Sequence, residues 1–391
     1  MLEQIIAFFT SYFSTLEYVC LGILCVAFIY EIYFYIRYMA APLREERRRK
    51  KGKTVLSLEQ PGVSVIVCAK NEAYNVDAYL MSLLEQNYPL FEVIVVNDGS
   101  EDNTEAILKH YATVYDNLHL TFVPKEARVG STKKLAITLA AKAAKYDVLL
   151  LTDADCRPQS PDWIAKMMEY FTAQTEVVLG YGAYFEHKTA VSRLISYDTL
   201  FNGMQYMGMA LAGKPYMGVG RNLAYRKSTF FDNKGFVGTS SIKAGDDDLF
   251  VNRVANRLNT RVATNPQTIT WSVPKPSFVE FEMQKERHLS VSPHYKLSSK
   301  IRLAIEPLMR ALFYGSFIWA CSMGNMVVLL TAVVCFILRL ILQLVIINKG
   351  ARQTGQRAVG LELVCYDIFL PLNTLYMLFI QMLFPRRKNR W

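Results

Sequence analysis

Hydrophobic and polar positions change rhythm three times along the chain. From residue 15 to about 38 the run TLEYVCLGILCVAFIYEIYFYIRY is apolar but for Glu31, and a bilayer needs only about 20 such residues. Residues 61 to about 275 then interleave short β-branched runs with helically spaced ones. VSVIVCA, FEVIVVN, HLTFVP and DVLLLTD read as strands; AYNVDAYLMSLLEQ and STKKLAITLAAKAAK read as helices. That alternation predicts an α/β sheet with helices on both faces. Beyond Pro274 the segment SFVEFEMQKERHLSVSPHYKLSSKIRL is amphipathic and basic, as a helix lying in a membrane interface would be. Apolar stretches follow over 307–324, 325–347 and 359–384.

The pattern divides the chain into an N-terminal transmembrane helix (1–40), a basic linker (41–60), an α/β domain (61–275), an amphipathic interfacial segment (276–303) and a C-terminal transmembrane region (304–391). If all four apolar stretches span, the basic tail PRRKNRW falls outside, against the positive-inside tendency. A break at 371–373 would make the last stretch re-entrant or two half-spans. No charged pathway through the spans is evident, which disfavours transport.

Charge sharpens the topology. The formal net charge is +10, with much of the excess in short clusters beside the apolar spans. REERRRKKGK, directly behind the first span, predicts a cytoplasmic side for residues 44–53 and for the domain, in an integral protein of the cell (inner) membrane. The middle region has no basic stripe with interleaved aromatics, so nucleic acid is not an expected partner. The seven cysteines form no CxxC pair; that usage suits a reducing compartment without structural zinc.

In open α/β sheets ligands bind beyond the carboxyl ends of the strands, and three polar signatures stand there. After DVLLLTD, Asp153 and Asp155 are placed to share a hard cation that also accepts substrate phosphates, or to cap a turn. After FEVIVVN, Asp98 is placed to meet a nucleobase or ribose, or to open a capping turn. After VSVIVCA come Asn71 and Glu72. Lys133, at a helix start beside Gly130 and Ser131, favours an anion. Its neighbour Lys134 reads as an ordinary solvated lysine. There is no GxGxxG and no GxxxxGK[ST], which removes the usual dinucleotide and P-loop signals. In YMGVGRN, Gly218 and Gly220 permit close backbone approach, with Arg221 and Asn222 beside them. The Met-rich stretch before it reads as core or as an adaptable lipid groove. QKERH (284–288) is a diphosphate clamp through Arg287 or a plain interfacial helix. GDDDL, with Asp246, Asp247 and Asp248, is a solvated loop, a metal cage or the seat of a base. Crowding raises the proton affinity of one such carboxylate, and Asp248 is placed to cap the helix behind it.

Taken in order, KNE, VVNDGS, a lysine ahead of LA, DAD, GxGxN, GDDDL and QxxRH resemble the inverting family-two glycosyltransferases, in particular their membrane-embedded branch. That branch includes cellulose, hyaluronan and poly-N-acetylglucosamine synthases and ceramide glucosyltransferase. The resemblance implies a GT-A (Rossmann-like) nucleotide-sugar-binding domain over 61–275, with N-terminal and C-terminal transmembrane helices. It implies that Glu72, Asp98 and Lys133 contact the nucleotide, and that Asp153 and Asp155 hold the donor diphosphate through Mg²⁺ or Mn²⁺. Asp247 matches the family's general base. Gly220, Asn222, Asp246, Gln284, Arg287 and His288 would line the acceptor and diphosphate. The donor is a nucleotide sugar, a UDP-sugar before a GDP-sugar, and the acceptor a lipid, a lipid-linked sugar or a glycan. Asp246 stands where the family often has Glu, and His288 replaces a Trp that lines the acceptor site of processive synthases. That replacement favours single-sugar transfer over polymer elongation. The rival readings are a processive polysaccharide synthase and an inactive membrane scaffold of an assembly complex.

Overall fold

A computed structural model describes residues 13–124 and 130–383. The first apolar run forms α1 (Thr15–Phe34), opened by a capping box between Ser14 and Glu17. A single π-helical turn, Tyr35–Met39, joins it to α2 (Ala41–Lys50). The basic run expected to be a linker is therefore helical. Pro42 starts it, and the Arg49 guanidinium grips Glu46 with two hydrogen bonds of 2.7 and 2.8 Å.

The domain follows the predicted alternation: β1 (Val63–Ala69), α3 (Ala73–Leu84), β2 (Phe91–Asn97), α4 (Thr104–Ala112), β3 (Leu118–Phe122), α5 (Thr132–Ala143) and β4 (Val148–Asp153). Next come β5 (Cys156–Pro158), α6 (Trp163–Met168), β6 (Val177–Leu179), β7 (Gly182–Tyr184), α7 (Ala190–Leu211), β8 (Leu223–Arg226), α8 (Lys227–Asp232), α9 (Asp248–Val254), β9 (Thr260–Val262) and β10 (Thr270–Ser272). Seven strands form one sheet in the order β3-β2-β1-β4-β8-β6-β9, and β5-β10-β7 form a second, small one. β1 to β4 run parallel, so the ends of β1, β2 and β4 share one rim; β8 enters antiparallel. Alternation explains the two-sided burial. Ile66, Ile94, Leu149 and Leu151 face one core with α5 and α7, whereas Val65, Val93, Val95 and Leu150 face the other with α3 and α6.

Behind the domain stand α10 (Phe278–Leu289), α11 (Leu297–Ser322), α12 (Met326–Gln353) and α13 (Glu362–Leu383). Among the described residues, three helical segments are long and apolar enough to cross a membrane: Thr15–Lys50, Met326–Gln353 and Glu362–Ile380. The stretch 307–324 is not one of them. All but its last two residues lie inside α11, which starts earlier and carries Lys300, Arg302, Glu306 and Arg310, yet α11 still packs on α1 and α12 through Phe313 and Ala320. α13 runs unbroken through Pro371, so the break proposed at 371–373 does not occur. The basic tail, like residues 1–12, lies outside the described residues.

The Met-rich stretch is core. Met204, Met207 and Met209 of α7 are buried, and α7 meets the turn between α1 and α2 so closely that a Cβ on Gly208 would run into the Tyr38 carbonyl oxygen. The spans also hold charges that hydropathy alone hides. Arg339 of α12 pairs with Glu31 of α1 at 2.8 Å and Asp367 of α13 at 2.7 Å, and Arg310 of α11 pairs with Asp367 at 3.2 Å and with Glu306. Pairing is what makes such groups tolerable away from water. These charges fasten four helices together.

Candidate active site

The rim loops are knit before any ligand is considered. Asn71, at a positive φ of 55°, donates its backbone N–H to Ser100 Oγ and accepts from the Glu101 N–H, while the Glu72 N–H donates to Thr104 Oγ1. The Glu72 carboxylate accepts from Asn75 at 2.5 Å, and partial burial moves its pKa upward. Asp98, buried at the end of β2, accepts a 2.5 Å hydrogen bond from Thr132 Oγ1, which ties the β2 rim to the first turn of α5.

That turn carries Lys133, whose Nζ stands 2.9 Å from Asp153 and 3.3 Å from Asp246. One ammonium thus bridges the strand-end aspartate and the first aspartate of GDDDL. Burial, the largest single effect, would raise the Asp153 pKa; the Lys133 charge and hydrogen bond, with the Arg221 and Arg287 charges, together outweigh it and hold the group below the usual carboxylate range. Asp155 accepts from Ser272 Oγ of β10 at 2.9 Å. The Asp247 carboxylate accepts from the Gly220 N–H at 2.6 Å and from the Asp248 N–H at 2.8 Å. Desolvation, and then the neighbouring Asp246 charge, nevertheless push its pKa up to about 6. A Cβ at position 220 would stand 3.3 Å from Asp247 Oδ2, so glycine is what lets the backbone donate here.

The α9 cap differs from the expected one. Asp247 caps the helix, and Asp248 lies within its first turn, buried, accepting from Tyr295 Oη at 2.9 Å. Burial, and then the neighbouring Asp247 charge, raise its pKa well above the ordinary value, against the smaller opposing effect of the Tyr295 hydrogen bond. Asp247 is the more open of the pair.

From α10, Gln284 donates to Tyr184 Oη at 3.0 Å. Arg287 and His288 stand exposed in its last turn, Arg287 near enough for its charge to act on Asp153. Asn222 is not brought into the site. It is fully buried, donating to the Tyr181 and Thr268 carbonyls at 2.9 and 2.6 Å and accepting from the Trp163 indole at 3.3 Å. Every polar atom of its amide is used in tying the β6–β7 connection, the turn before β10 and α6 together, so it has none left for a ligand.

Two cations named in the sequence have roles that the sequence reading did not assign them. Arg221 lies 4.2 Å over the Tyr184 ring, donates to the Gly182 carbonyl, and presents charge towards Asp153 and Asp155. Its place directly behind Gly220 was the available signal. Lys134 is not solvated: its Nζ donates to the Thr239, Ile242 and Ala244 carbonyls, each at 2.8 Å. It thereby pins the loop that leads into GDDDL, and no local motif marks it.

For a divalent cation the donor set fits in kind. Asp153 and Asp155 are hard oxygen donors, and the Lys133 ammonium already marks a cation position between Asp153 and Asp246. Among the described residues no group of three or more His, Cys, Asp or Glu forms an all-protein cage, so the remaining ligands would come from a substrate's phosphates and water.

Comparison with known proteins bears on the family and the fold. Residues 64–231 match the family model described as Glycosyl transferase family 2. The probable glycosyltransferase YdaM of Bacillus subtilis is 26% identical over 285 residues, covering 70% of this chain and 65% of that protein. The poly-β-1,6-N-acetyl-D-glucosamine synthase of Staphylococcus epidermidis is 35% identical over 94 residues, covering 24% of this chain and 22% of that protein. Among solved structures, the mannosyltransferase PcManGT of Pyrobaculum calidifontis, in complex with GDP-Man and Mn²⁺, aligns with a TM-score of 0.52 at 19% identity, covering 84% of this chain and 98% of that one. The chain spans between 37% and 65% of the length of the first curated relatives it matches.

Proposed function

We propose that this chain, which carries a family 2 glycosyl transferase domain of the GT-A fold, is a membrane-embedded inverting glycosyltransferase that moves one sugar from a nucleotide-sugar donor to a lipid, lipid-linked or glycan acceptor. One observation carries the reading: at the carboxyl end of β4, Lys133 from the first turn of α5 bridges Asp153 and Asp246, directly beside the half-buried Asp247.

An acceptor hydroxyl is too weak an acid to lose its proton unaided, so a carboxylate must take it as attack proceeds. Asp247 is suited to this because its raised pKa makes it a better base than an ordinary aspartate, while it is still ionised near neutrality. The acceptor oxygen bonds to the anomeric carbon, the bond to the diphosphate breaks, and the leaving group departs with the electron pair. One displacement without an enzyme nucleophile inverts the anomeric centre. Lys133, Arg221 and Arg287 face the charge that develops on the diphosphate. Asp153 and Asp155 would hold Mg²⁺ or Mn²⁺, which when bound neutralises the same diphosphate. PcManGT was solved with Mn²⁺ and GDP-Man, whereas the motif resemblance favours a UDP-sugar. His288, in place of the acceptor-site Trp, supports single transfer over elongation. Glu72 and Asp98, at the ends of β1 and β2, would contact the nucleoside, as the motif resemblance implies. The basic ends of α2 and α12 support a cytoplasmic domain at the cell membrane.

The test is purified protein in nanodiscs, incubated with a panel of UDP- and GDP-sugars and Mn²⁺ while free UDP or GDP is followed. Release with one donor class that stops on chelation supports the reading. No release with any donor, in membranes containing the native lipids, would remove it.

A further inference from the structure

Outside the donor site the described residues enclose a cleft of about 640 Å³ where α2, the C-terminal end of α12 and the back of β10 meet. Its walls are cationic: Arg47 and Lys50 from α2, Lys349 and Arg352 from α12. The single acid in the lining, Glu46, is already saturated. Arg49 binds it twice, Thr264 Oγ1 donates to it at 3.3 Å, and Lys50 stands 3.7 Å away. Among the described residues Arg47, Lys349 and Arg352 are exposed and make no ion pair or side-chain hydrogen bond. Trp271 lies in the same wall, stacked on Phe185 and donating its indole N–H to Gln159.

Depth decides what such a cleft would meet. Both helices that build it are continuations of apolar spans, Thr15–Lys50 and Met326–Gln353, and both reach the cleft by their basic C-terminal ends. The cations therefore stand where the spans leave the hydrocarbon, at the level of lipid headgroups, with a Trp at the depth that ring prefers. Leu43 and Ile269 add apolar lining for a glycerol backbone. β10 separates this cleft from the donor site: Trp271 faces the cleft, and Ser272, next along the strand, donates to Asp155.

We propose that this cleft binds the phosphate-bearing headgroup of an anionic phospholipid of the surrounding bilayer. It is a built site, distinct from the general attraction of basic residues to the membrane. The inference goes beyond the transferase reading and rests only on the two spans lying in a bilayer.

Native mass spectrometry of the full-length protein, titrated in detergent with phosphatidylglycerol or phosphatidylcholine, tests it. The wild type should retain phosphatidylglycerol in preference. The double variant Arg47→Ala/Arg352→Ala should bind it about tenfold to thirtyfold more weakly, given what each cation contributes near an anionic lipid. Lys349→Ala/Arg352→Ala should behave alike. Arg48→Ala/Lys51→Ala removes the same charge from the same basic run without touching the cleft, and should retain the lipid as the wild type does. Equal losses in the cleft and control variants would overturn the proposal, as would indifference to headgroup charge. Displacement of the lipid by millimolar inorganic pyrophosphate would reassign the cleft to soluble phosphates and overturn it too. Monodisperse elution of each variant separates loss of binding from loss of fold.

Discussion

Three adjacent aspartates divide the work of one loop by environment alone. Asp246 is neutralised by Lys133, Asp248 is buried against Tyr295, and Asp247 keeps an open edge with its pKa pushed up to about 6. A base must be ionised to accept a proton, so kcat/KM should fall about tenfold per pH unit below pH 6 and level off above it. The limb should be absent from whatever residual activity Asp247→Asn retains; a limb at the same pH in that variant would assign it to another group. The sign for stability is opposite. Because the folded state favours the protonated form, ionising Asp247 as pH rises through about 6 costs stability. Sequence alone gave the presence of a raised carboxylate but misplaced the cap. Crowding is visible in GDDDL, whereas which aspartate meets Tyr295, 47 positions on, is not. Asn222 misled for a similar reason: its partners Trp163, Tyr181 and Thr268 come from three separate segments.

At the scale of elements, the sheet was readable because burial on both faces leaves near-continuous β-branched strands, and the helices between them keep their apolar spacing. The loop before GDDDL was not readable, since its anchor is a lysine in a helix more than a hundred positions earlier. Lys134→Met removes the donor that the Thr239, Ile242 and Ala244 carbonyls share. It should cost about 1–3 kcal/mol of stability from groups left unpaired, and lower turnover more than donor affinity, because the loop delivers Asp247 and not the nucleotide rim. Chemical unfolding with a donor titration checks both; an unchanged turnover would show that the loop holds its place without the lysine.

Over the whole molecule, the sheet domain is mounted on four helices through α7, with Gly208 admitting Tyr38 and Gly350 admitting Met204 at close range. Hydropathy found the spans but not the ion-pair network within them, since Glu31 and Arg339 lie 308 positions apart. Arg339→Met would strand Glu31 without its partner and weaken the hold on Asp367, a loss expected to cost about 3–5 kcal/mol. Glu31→Gln should cost less, because Arg339 still pairs with Asp367. Thermal unfolding in one detergent ranks the two, and equal losses would mean that the network does not fasten the bundle. The central claim is that Asp247 takes the acceptor proton at a donor site built by other residues. The most direct measurement pairs donor affinity with sugar transfer in wild type and Asp247→Asn. The account predicts that affinity for the nucleotide sugar is held within a few-fold while transfer falls by about 10²–10⁴-fold. Transfer at the wild-type rate in Asp247→Asn would contradict it.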